Sequence, residues 1–537
     1  MRIDYLKLEK FKNLRAFEIR FDSSQATVLV GRHGSGKSNL LEALIIIFRD
    51  LDLGEAPSVS YEIHYRCRNY QIRIIAKPGK SSKEAMKILI KDVKTEIEQP
   101  SLIPDELAGY EEITYSKFKQ DARQKYLPNY VFGYYSGPSN RMEKHFERHQ
   151  EKFYDELIDK NRKTTPLRPF LYGRLVHSQF VLLAFFSKKD KEIQKFLQDY
   201  LWIESLDSIL FIMHKPPWKS DDGDPRFWYA RGEVRDFLDK LYALAIAPLR
   251  HIWKVPLSFR KTTDLEHLYL YIKGQSDLEK LAKNYKNQQD FFKALESTYI
   301  SELISEVRIK VKVRKAGGSL TFREMSEGEQ QLLMVLGLLR FTKEDESLFL
   351  LDEPDTHLNP AWSLQYIDFL KRVVGDQDTS HVIMTTHDPL TIAGLFKEQV
   401  QIIYRTDDGK IEAIHPSENP QGMGIAALLT SDVYGLRSQL DPVTQGLLDE
   451  RRELAALPEL NGDQRKRLAE LNAELAGLDF EITYRDPMYQ AFVKEMTKRQ
   501  ESDIVNTVAL SPEQVQAQRD LATEIIDELL EEGDTKK

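Results

Sequence analysis

The chain of 537 residues is long enough for about three domains. Its 41 % hydrophobic, 30 % charged and 10 % aromatic content excludes wholesale disorder and fibrous repeats. A formal charge of -8 argues against a surface coated throughout with nucleic-acid-binding cations. The single cysteine, Cys67, excludes an internal disulfide framework and predicts a reducing compartment. The apolar runs Leu40 to Phe48 and Phe180 to Phe186 fall short of the roughly 20 residues a membrane span needs, so the reading is cytoplasmic with no membrane partner.

In chain order, strand-like stretches run over Ile3 to Phe11 and Phe17 to Phe21, and Ala26 to Val30 is continuously apolar, as for a strand covered on both faces. That third strand feeds Gly31-Arg-His-Gly-Ser-Gly-Lys-Ser38, and an apolar helix follows from Asn39 to Phe48. Strand, GxxxxGK[ST] and helix in that order form the setting in which the pattern cradles phosphate. Gly31, Gly34 and Gly36 let backbone N–H groups turn toward an anion at a helix N-terminus, with Asn39 next in the helix. Lys37 supplies a point charge for the β- and γ-phosphates, and Ser38 a hydroxyl ligand for Mg2+.

Alternation from Ser60 to Ala76 with a turn at Cys67-Arg-Asn69 predicts an antiparallel hairpin. A strand at Tyr130 to Tyr135 ends at Ser136-Gly-Pro-Ser-Asn-Arg141. From about 142 to 304 the pattern is helical and holds Trp202, Trp218, Trp228 and Trp253, which predicts a packed subdomain without a coiled coil. Asp221-Asp-Gly-Asp-Pro225 lacks the spacing of a calcium loop and reads as an exposed turn. Residues 141–191 carry twelve Lys/Arg against seven acids, either a solvated helix face or a phosphate-contacting surface.

A strand at Val307 to Val313 and a Gly317-Gly318 turn precede Met325-Ser-Glu-Gly-Glu-Gln-Gln331, which opens an apolar helix through Leu339. Ser326 and Gly328 lie at its N-terminus, where donors point at an anion, and Ser326 with Glu329 also fits a capping box. The apolar run Ser347 to Leu351 delivers Asp352-Glu353-Pro354, two adjacent carboxylates that need a cation or hydrogen bonds. Asp352 is placed to orient Mg2+ and Glu353 to act as general base on water. His357-Leu-Asn-Pro360 follows, and a strand at His381 to Thr385 delivers His387 at its C-terminal edge, where ligands of parallel sheets bind.

Walker A (Gly31 to Ser38), signature (Ser326 to Gln330), Walker B (Leu348 to Glu353), D-loop (Leu358-Asn-Pro) and switch His387 together resemble an ABC-type ATPase head of the AAA superfamily. Phe11-Lys-Asn-Leu14 before the P-loop strand resembles the RecF, SMC and OLD branch. A narrower resemblance, carried by Val131 to Ser139 and by Phe480 to Asp486, is to the ATPases of Septu and retron-associated anti-phage systems.

These resemblances imply an α/β fold: an ABC-type P-loop head split into residues 1–140 and 305–433, a mostly helical insertion at 141–304 and a helical C-terminal extension at 434–537. They imply ATP and Mg2+ as ligands and a nucleotide-sandwiched homodimer. In it, Ser326, Gly328 and Glu329 of one subunit face the Lys37 site of the other, His387 contacts the γ-phosphate, and Asn359, where the family usually has Asp, links the two sites. The usual Q-loop glutamine has no counterpart, with Ser136 as a weak substitute.

No TOPRIM-like acidic set or HNH-like histidine cluster stands outside the head, and the resemblance to the Septu ATPases implies that the nuclease is a separate HNH endonuclease chain, with a reverse transcriptase and its multicopy single-stranded DNA in some systems. A RecF/SMC-like DNA-binding ATPase of repair is the alternative, and nucleic acid stays a candidate ligand.

After Tyr434, Leu447, Leu454 and Leu457, then Leu468, Leu471, Leu475 and Leu478, predict a helical hairpin around a Pro458 to Asp463 turn. A last helix starts with Ser511 as cap and Pro512, and its stripe Ala522, Ile525, Ile526 and Leu529 predicts packing on the head or a docked partner. Residues 501–537 hold ten acids against Arg519, Lys536 and Lys537, so the remainder of the chain is nearly neutral.

Overall fold

The computed structural model describes residues 1–23, 25–78, 85–93, 109–158, 167–218, 222–258, 261–314, 318–342, 345–374, 379–477, four positions between 492 and 499, and 512–534. Asp221, Gly317, Leu478, Phe480 to Asp486 and the Ser511 cap lie outside the described residues. Packing divides the chain into two units, one of Met1–Leu29 and Lys37–Thr391, the other of Val30–Gly36 and Ile392–Lys537.

The first unit begins with β1 (Arg2–Phe11), β2 (Leu14–Arg20), β3 (Ala26–Val30) and α1 (Lys37–Leu53). Then come β4 (Tyr61–Cys67), β5 (Tyr70–Ala76), β6 (Met86–Asp92), β7 (Glu111–Ile113), α2 (Tyr115–Asp121) and β8 (Tyr130–Tyr135). The middle of the chain holds α3 (Glu147–Ile158), β9 (Phe170–Tyr172), α4 (Leu175–Ser187), α5 (Lys191–Tyr200), β10 (Ile203–His214), α6 (Gly232–Leu244), β11 (Ile246–Ser258), β12 (Lys261–Ile272), α7 (Gln275–Ala282) and α8 (Gln288–Ile300). The unit closes with β13 (Ile304–Val313), β14 (Ser319–Thr321), α9 (Glu327–Thr342), β15 (Ser347–Asp352), α10 (Pro360–Val374) and β16 (Ser380–Thr385).

Three sheets organise these strands. β3, β16, β15, β8 and β9 run parallel in that spatial order. Every residue of β3, β15 and β16 is buried, which is why these segments read as unbroken apolar runs. A meander of order β2-β1-β4-β5-β6-β7 is antiparallel throughout, and the predicted hairpin is its β4–β5 pair. Buried His381 ties the two sheets: it accepts the Ile3 N–H on Nδ1 at 3.1 Å, and burial holds its pKa down at about 3.

The third sheet, of order β11-β12-β10-β13-β14, is where the helical reading of residues 142–304 falls short. Three strands of 12 to 13 residues lie in that stretch beside its helices. Their dense aromatic residues fit either a helix stripe or a pleated face, and only cross-strand partners decide between the two. Trp228 to Ala230 close a small turn, with Trp228 and Tyr229 at φ of 50° and 66°.

α4 is buried on nearly its whole circumference and packs against α9, the helix that opens at the signature. Gly337 allows the approach, since a Cβ there would lie 2.1 Å from Val181 Cγ1. The basic segment 141–191 spends much of its charge internally. Arg141, Arg148 and Arg174 pair with Glu42, Glu55 and Glu143, and fully buried Arg168 pairs with Glu296, which His177 also contacts at 2.9 Å.

In the second unit, β17 (Val400–Arg405) and β18 (Ile411–Ile414) form an antiparallel hairpin. A short α12 (Ile425–Thr430) precedes the predicted helical hairpin, formed by α13 (Pro442–Ala456) and α14 (Gly462–Gly477). Leu448, Leu471 and Leu475 are its buried centre, whereas the expected Leu447 is half-buried and Leu457, past the helix end, is exposed. Arg467 clasps Glu450 across the hairpin at 2.6 and 2.7 Å. The last helix, Pro512–Asp534, buries Ile525 and donates from Arg519 to the Ser417 hydroxyl.

Gly337→Ala is expected to destabilise the first unit by about 1–3 kcal/mol through overpacking against Val181. Urea denaturation checks this, and pairing it with Val181→Ala should restore part of the loss.

Candidate functional site

Lys37 and Ser38 open α1, which points its N-terminus to the C-terminal edge of the parallel sheet. The Lys37 ammonium is buried, and its pKa falls to about 8 because desolvation outweighs the attraction of Glu353 and Asp352. Ser38 Oγ donates to Asp352 Oδ1 at 3.1 Å, and Thr385 Oγ1 donates to the same oxygen at 2.5 Å. The other Asp352 oxygen, Oδ2, is buried without a hydrogen-bond partner among the described residues. Burial raises the pKa of this carboxyl against the pull of those two hydroxyls. An orphaned carboxylate oxygen beside a hydroxyl suits Mg2+, which takes few protein ligands and keeps water or phosphate oxygens for the rest.

The glycines before Lys37 belong to the second unit. Gly31 sits at φ 139°, where a Cβ would lie 2.0 Å from the Ile403 carbonyl oxygen, so the loop passes against β17 where only glycine fits. Gly34 and Gly36 also have positive φ, 77° and 102°. Residues Gly31 to Ser35 line a cleft of about 300 Å³ with Tyr404 and Tyr434.

Glu353 follows Asp352 at a φ of 53°, a left-handed conformation costly for a residue with a Cβ. Its N–H donates to Thr385 Oγ1 at 3.0 Å, and its carboxylate lies 3.3 Å from His387 Nε2, with both side chains about one-third exposed. Walker B and switch residues, 34 positions apart in sequence, therefore meet directly.

Signature residues take the capping geometry. Ser326 donates from its N–H and hydroxyl to Glu329 at 2.7 and 2.9 Å, and accepts from the Glu329 N–H at 3.3 Å. Gly328 is buried against the turn after Walker B, where a Cβ would lie 2.3 Å from the His357 carbonyl oxygen. Asn359 caps α10, accepting from the Trp362 N–H at 3.0 Å. Ser136 Oγ lies 3.4 Å from the Thr356 hydroxyl.

Four residues escaped the sequence reading. Glu42, one turn after Ser38, is buried yet held near a pKa of 2: His145, Lys12 and Arg141 outweigh its desolvation. Arg141 also donates to Asn39 Oδ1 at 2.6 Å, which fastens the segment after β8 to the start of α1. Gln331 donates to the Pro354 carbonyl and joins α9 to the turn after Walker B. Asp355 accepts from the Thr386 and Thr391 hydroxyls at 2.5 and 2.6 Å. A charged residue inside an apolar helix stripe, as at Glu42, was the one available signal.

Burial raises the Asp355 pKa to about 6, against the two threonine hydroxyls. An acid whose folded pKa is raised stabilises the fold fully below its unfolded pKa, and that contribution is lost as pH rises through the folded value. With the folded value at about 6, the loss amounts to about 3 kcal/mol and falls between about pH 4 and pH 7. Asp355→Asn is expected to flatten this slope, measured as melting temperature against pH for both chains.

Two families match. One described as an AAA ATPase domain matches residues 1–204. An AAA-domain family described by the AbiEii toxin of a Type IV TA system matches residues 218–393. The Septu protein PtuA of Bacillus mycoides (strain KBAB4) is 26% identical over 203 residues, covering 35% of this chain and 28% of that protein. The "Retron Vc95 probable ATPase" of Vibrio cholerae serotype O1 biovar El Tor is 26% identical over 166 residues, 28% of this chain and 30% of its own length. The chain is thus matched to less than a third of either relative.

Among solved structures, the SMC head domain from Thermotoga maritima covers 77% of this chain and 99% of its own at 13% identity, with a TM-score of 0.30. The RecF–ATP structure of the RecFOR pathway covers 77% and 99% at 14% identity and a TM-score of 0.26. No helix among the described residues is long and apolar enough to cross a membrane. With the motifs carried on a buried parallel sheet, the chain resembles ATPases of the AAA/ABC type, Septu PtuA and the retron ATPase among them.

Proposed function

We propose that this chain is the ATP-binding and ATP-hydrolysing subunit of an anti-phage defence complex, working as a nucleotide-sandwiched homodimer in the cytoplasm. It gates a separate HNH endonuclease of the PtuB type. The observation that carries the reading is the meeting of Lys37, Ser38 and the half-satisfied Asp352 carboxylate at the sheet edge, with Glu353 and His387 in contact beside them.

In this reading Gly31, Gly34, Gly36 and Lys37 hold the phosphates, with Asn39 supporting the start of α1. Ser38 and Asp352 hold Mg2+, which when bound supplies positive charge to the phosphate oxygens. Glu353, whose carboxylate is about one-third exposed, takes the proton of the attacking water. His387 Nε2, 3.3 Å from Glu353, orients that carboxylate and stands ready for the γ-phosphate.

Ser326, Gly328 and Glu329 close over the partner subunit's nucleotide. Because the Ser326 hydroxyl is donated to Glu329, engagement of a phosphate requires that hydrogen bond to be exchanged. Asn359, committed to capping α10, links the two sites through its backbone turn and not through charge. The relatives named for Septu and retron systems support the defence role, and a reverse transcriptase with its multicopy single-stranded DNA is a partner where a retron is present.

Glu353→Gln is expected to lower ATP turnover by roughly 10²–10⁴-fold while retaining ATP, and to double the particle mass in ATP by light scattering. Lys37→Ala is expected to lose nucleotide affinity itself, read by fluorescent-nucleotide titration. An intact chain that hydrolysed no ATP alone, with an HNH partner or with nucleic acid would refute the reading.

A further inference from the structure

β11 and β12 run on past the sheet that holds them. β10 pairs with β12 from Ile272 as far as His267, whereas β11 stays paired with β12 out to Ser258 and Lys261. The outer part is therefore a two-stranded arm, and a hairpin of two strands is at best marginally stable in water unless its apolar face is covered. Its base is braced on one side, where Arg250 donates to Glu266 at 2.5 Å and the Trp228 indole donates to the same carboxylate at 2.8 Å.

The register sorts the arm into two unlike faces, because residues directly opposite each other on paired strands point the same way. On one face Arg250, Ile252, Lys254 and Pro256 stand opposite Leu268, Glu266, Asp264 and Thr262, two cations against two acids. On the other, Leu249, His251, Trp253 and Val255 stand opposite Tyr269, His267, Leu265 and Thr263, and Ile246 stands opposite Tyr271 beyond a register shift. No carboxylate, ammonium or guanidinium interrupts those rungs. Ile246, Leu249, Trp253 and Tyr271 are 51%, 60%, 52% and 39% exposed, and His251 lies against Trp253 with ring centroids 4.5 Å apart.

Level with Tyr269 and Tyr271 but two strands away, Glu306 and Arg308 of β13 pair with each other at 2.7 Å, and Lys310 and Lys312 lie farther from the arm. The uncharged face thus offers an acidic or basic ligand nothing to pair with. Edge pairing with another strand does not account for the exposure, because β11 carries Pro248 and Pro256, which remove ladder donors.

We infer that this face of the β11–β12 arm joins two copies of the chain. An uncovered apolar face marks a contact, and charge matching selects the partner, since an uncharged face is complementary to another of the same kind. The pattern is also symmetric about the His251/His267 rung. On either side comes one ring with one leucine, Leu249 with Tyr269 and Trp253 with Leu265, and the leucine changes strand between the two rungs. When β11 of one copy lies over β12 of the other, each ring meets a leucine and each histidine a histidine, the self-complementarity that a twofold contact requires. The contact is separate from the nucleotide sandwich and needs no ATP.

The experiment follows the mass of the full chain without nucleotide by sedimentation over a concentration series, so its outcome is independent of the ATP-driven contact. A dimer is expected. Leu249→Lys and Trp253→Glu each place a charge in the uncharged face and should raise the dimer dissociation constant on the order of a hundredfold. Ile252→Lys, on the opposite face and 62% exposed in the parent, should leave it unchanged. A far-ultraviolet circular dichroism spectrum matching the parent's shows that each variant folds.

A chain that stays monomeric at its highest soluble concentration overturns the proposal, whether the face then takes another protein or a lipid surface. So does a dimer that forms only with ATP, one that Leu249→Lys and Trp253→Glu leave intact, or one that Ile252→Lys splits as readily.

Discussion

The buried carboxylate of Asp352 is the point on which the parallel-sheet core depends. It is the last residue of a strand with no exposed side chain, where desolvation opposes its charge, and hydroxyls from two other elements converge on one of its oxygens. Ser38 arrives from the first turn of α1 and Thr385 from the end of the neighbouring strand β16. Three segments far apart in sequence are thereby held to one geometry, and the second oxygen keeps an unused acceptor where a cation can be received.

Around that carboxylate, polar contacts fasten the loops that would otherwise move independently. Asp355 grips Thr386 and Thr391, setting the backbone on either side of His387, and Gln331 ties the signature helix to Pro354. Glu42, Arg141 and Asn39 do the same between α1 and the segment after β8. The charge of Arg141 is turned to α1, so the segment after β8 is held to that helix. The left-handed backbone at Glu353 belongs with these contacts, since a strained residue persists only where its surroundings over-determine it.

Much of the head was legible in the linear chain because its signals are local. An unbroken apolar run marks a strand covered on both faces, and the residues just beyond β3, β15 and β16 are the polar ones delivered to the sheet edge. Alternation at 60–76 and the Ser326–Glu329 spacing likewise became a hairpin and a capping box. The 142–304 stretch was misjudged where β10, β11 and β12 lie, because Phe, Tyr and Trp at mixed spacing suit two periods at once. Basic residues at 141–191 had looked like surface, but the acids that neutralise several of them come from elsewhere, Glu42, Glu55 and Glu296 among them.

The sequence by itself determined the nucleotide motifs, their order and the buried strands that carry them, since backbone freedom at glycine, apolar continuity and helix capping act over a few residues. Only the tertiary structure decided that Asp352 keeps one oxygen unsatisfied, that Glu353 meets His387, and that Leu249 and Trp253 share one uncharged face with the tyrosines of β12. Those relations rest on strand register and on burial. Both arise from pairings between distant segments, which no window along the chain contains.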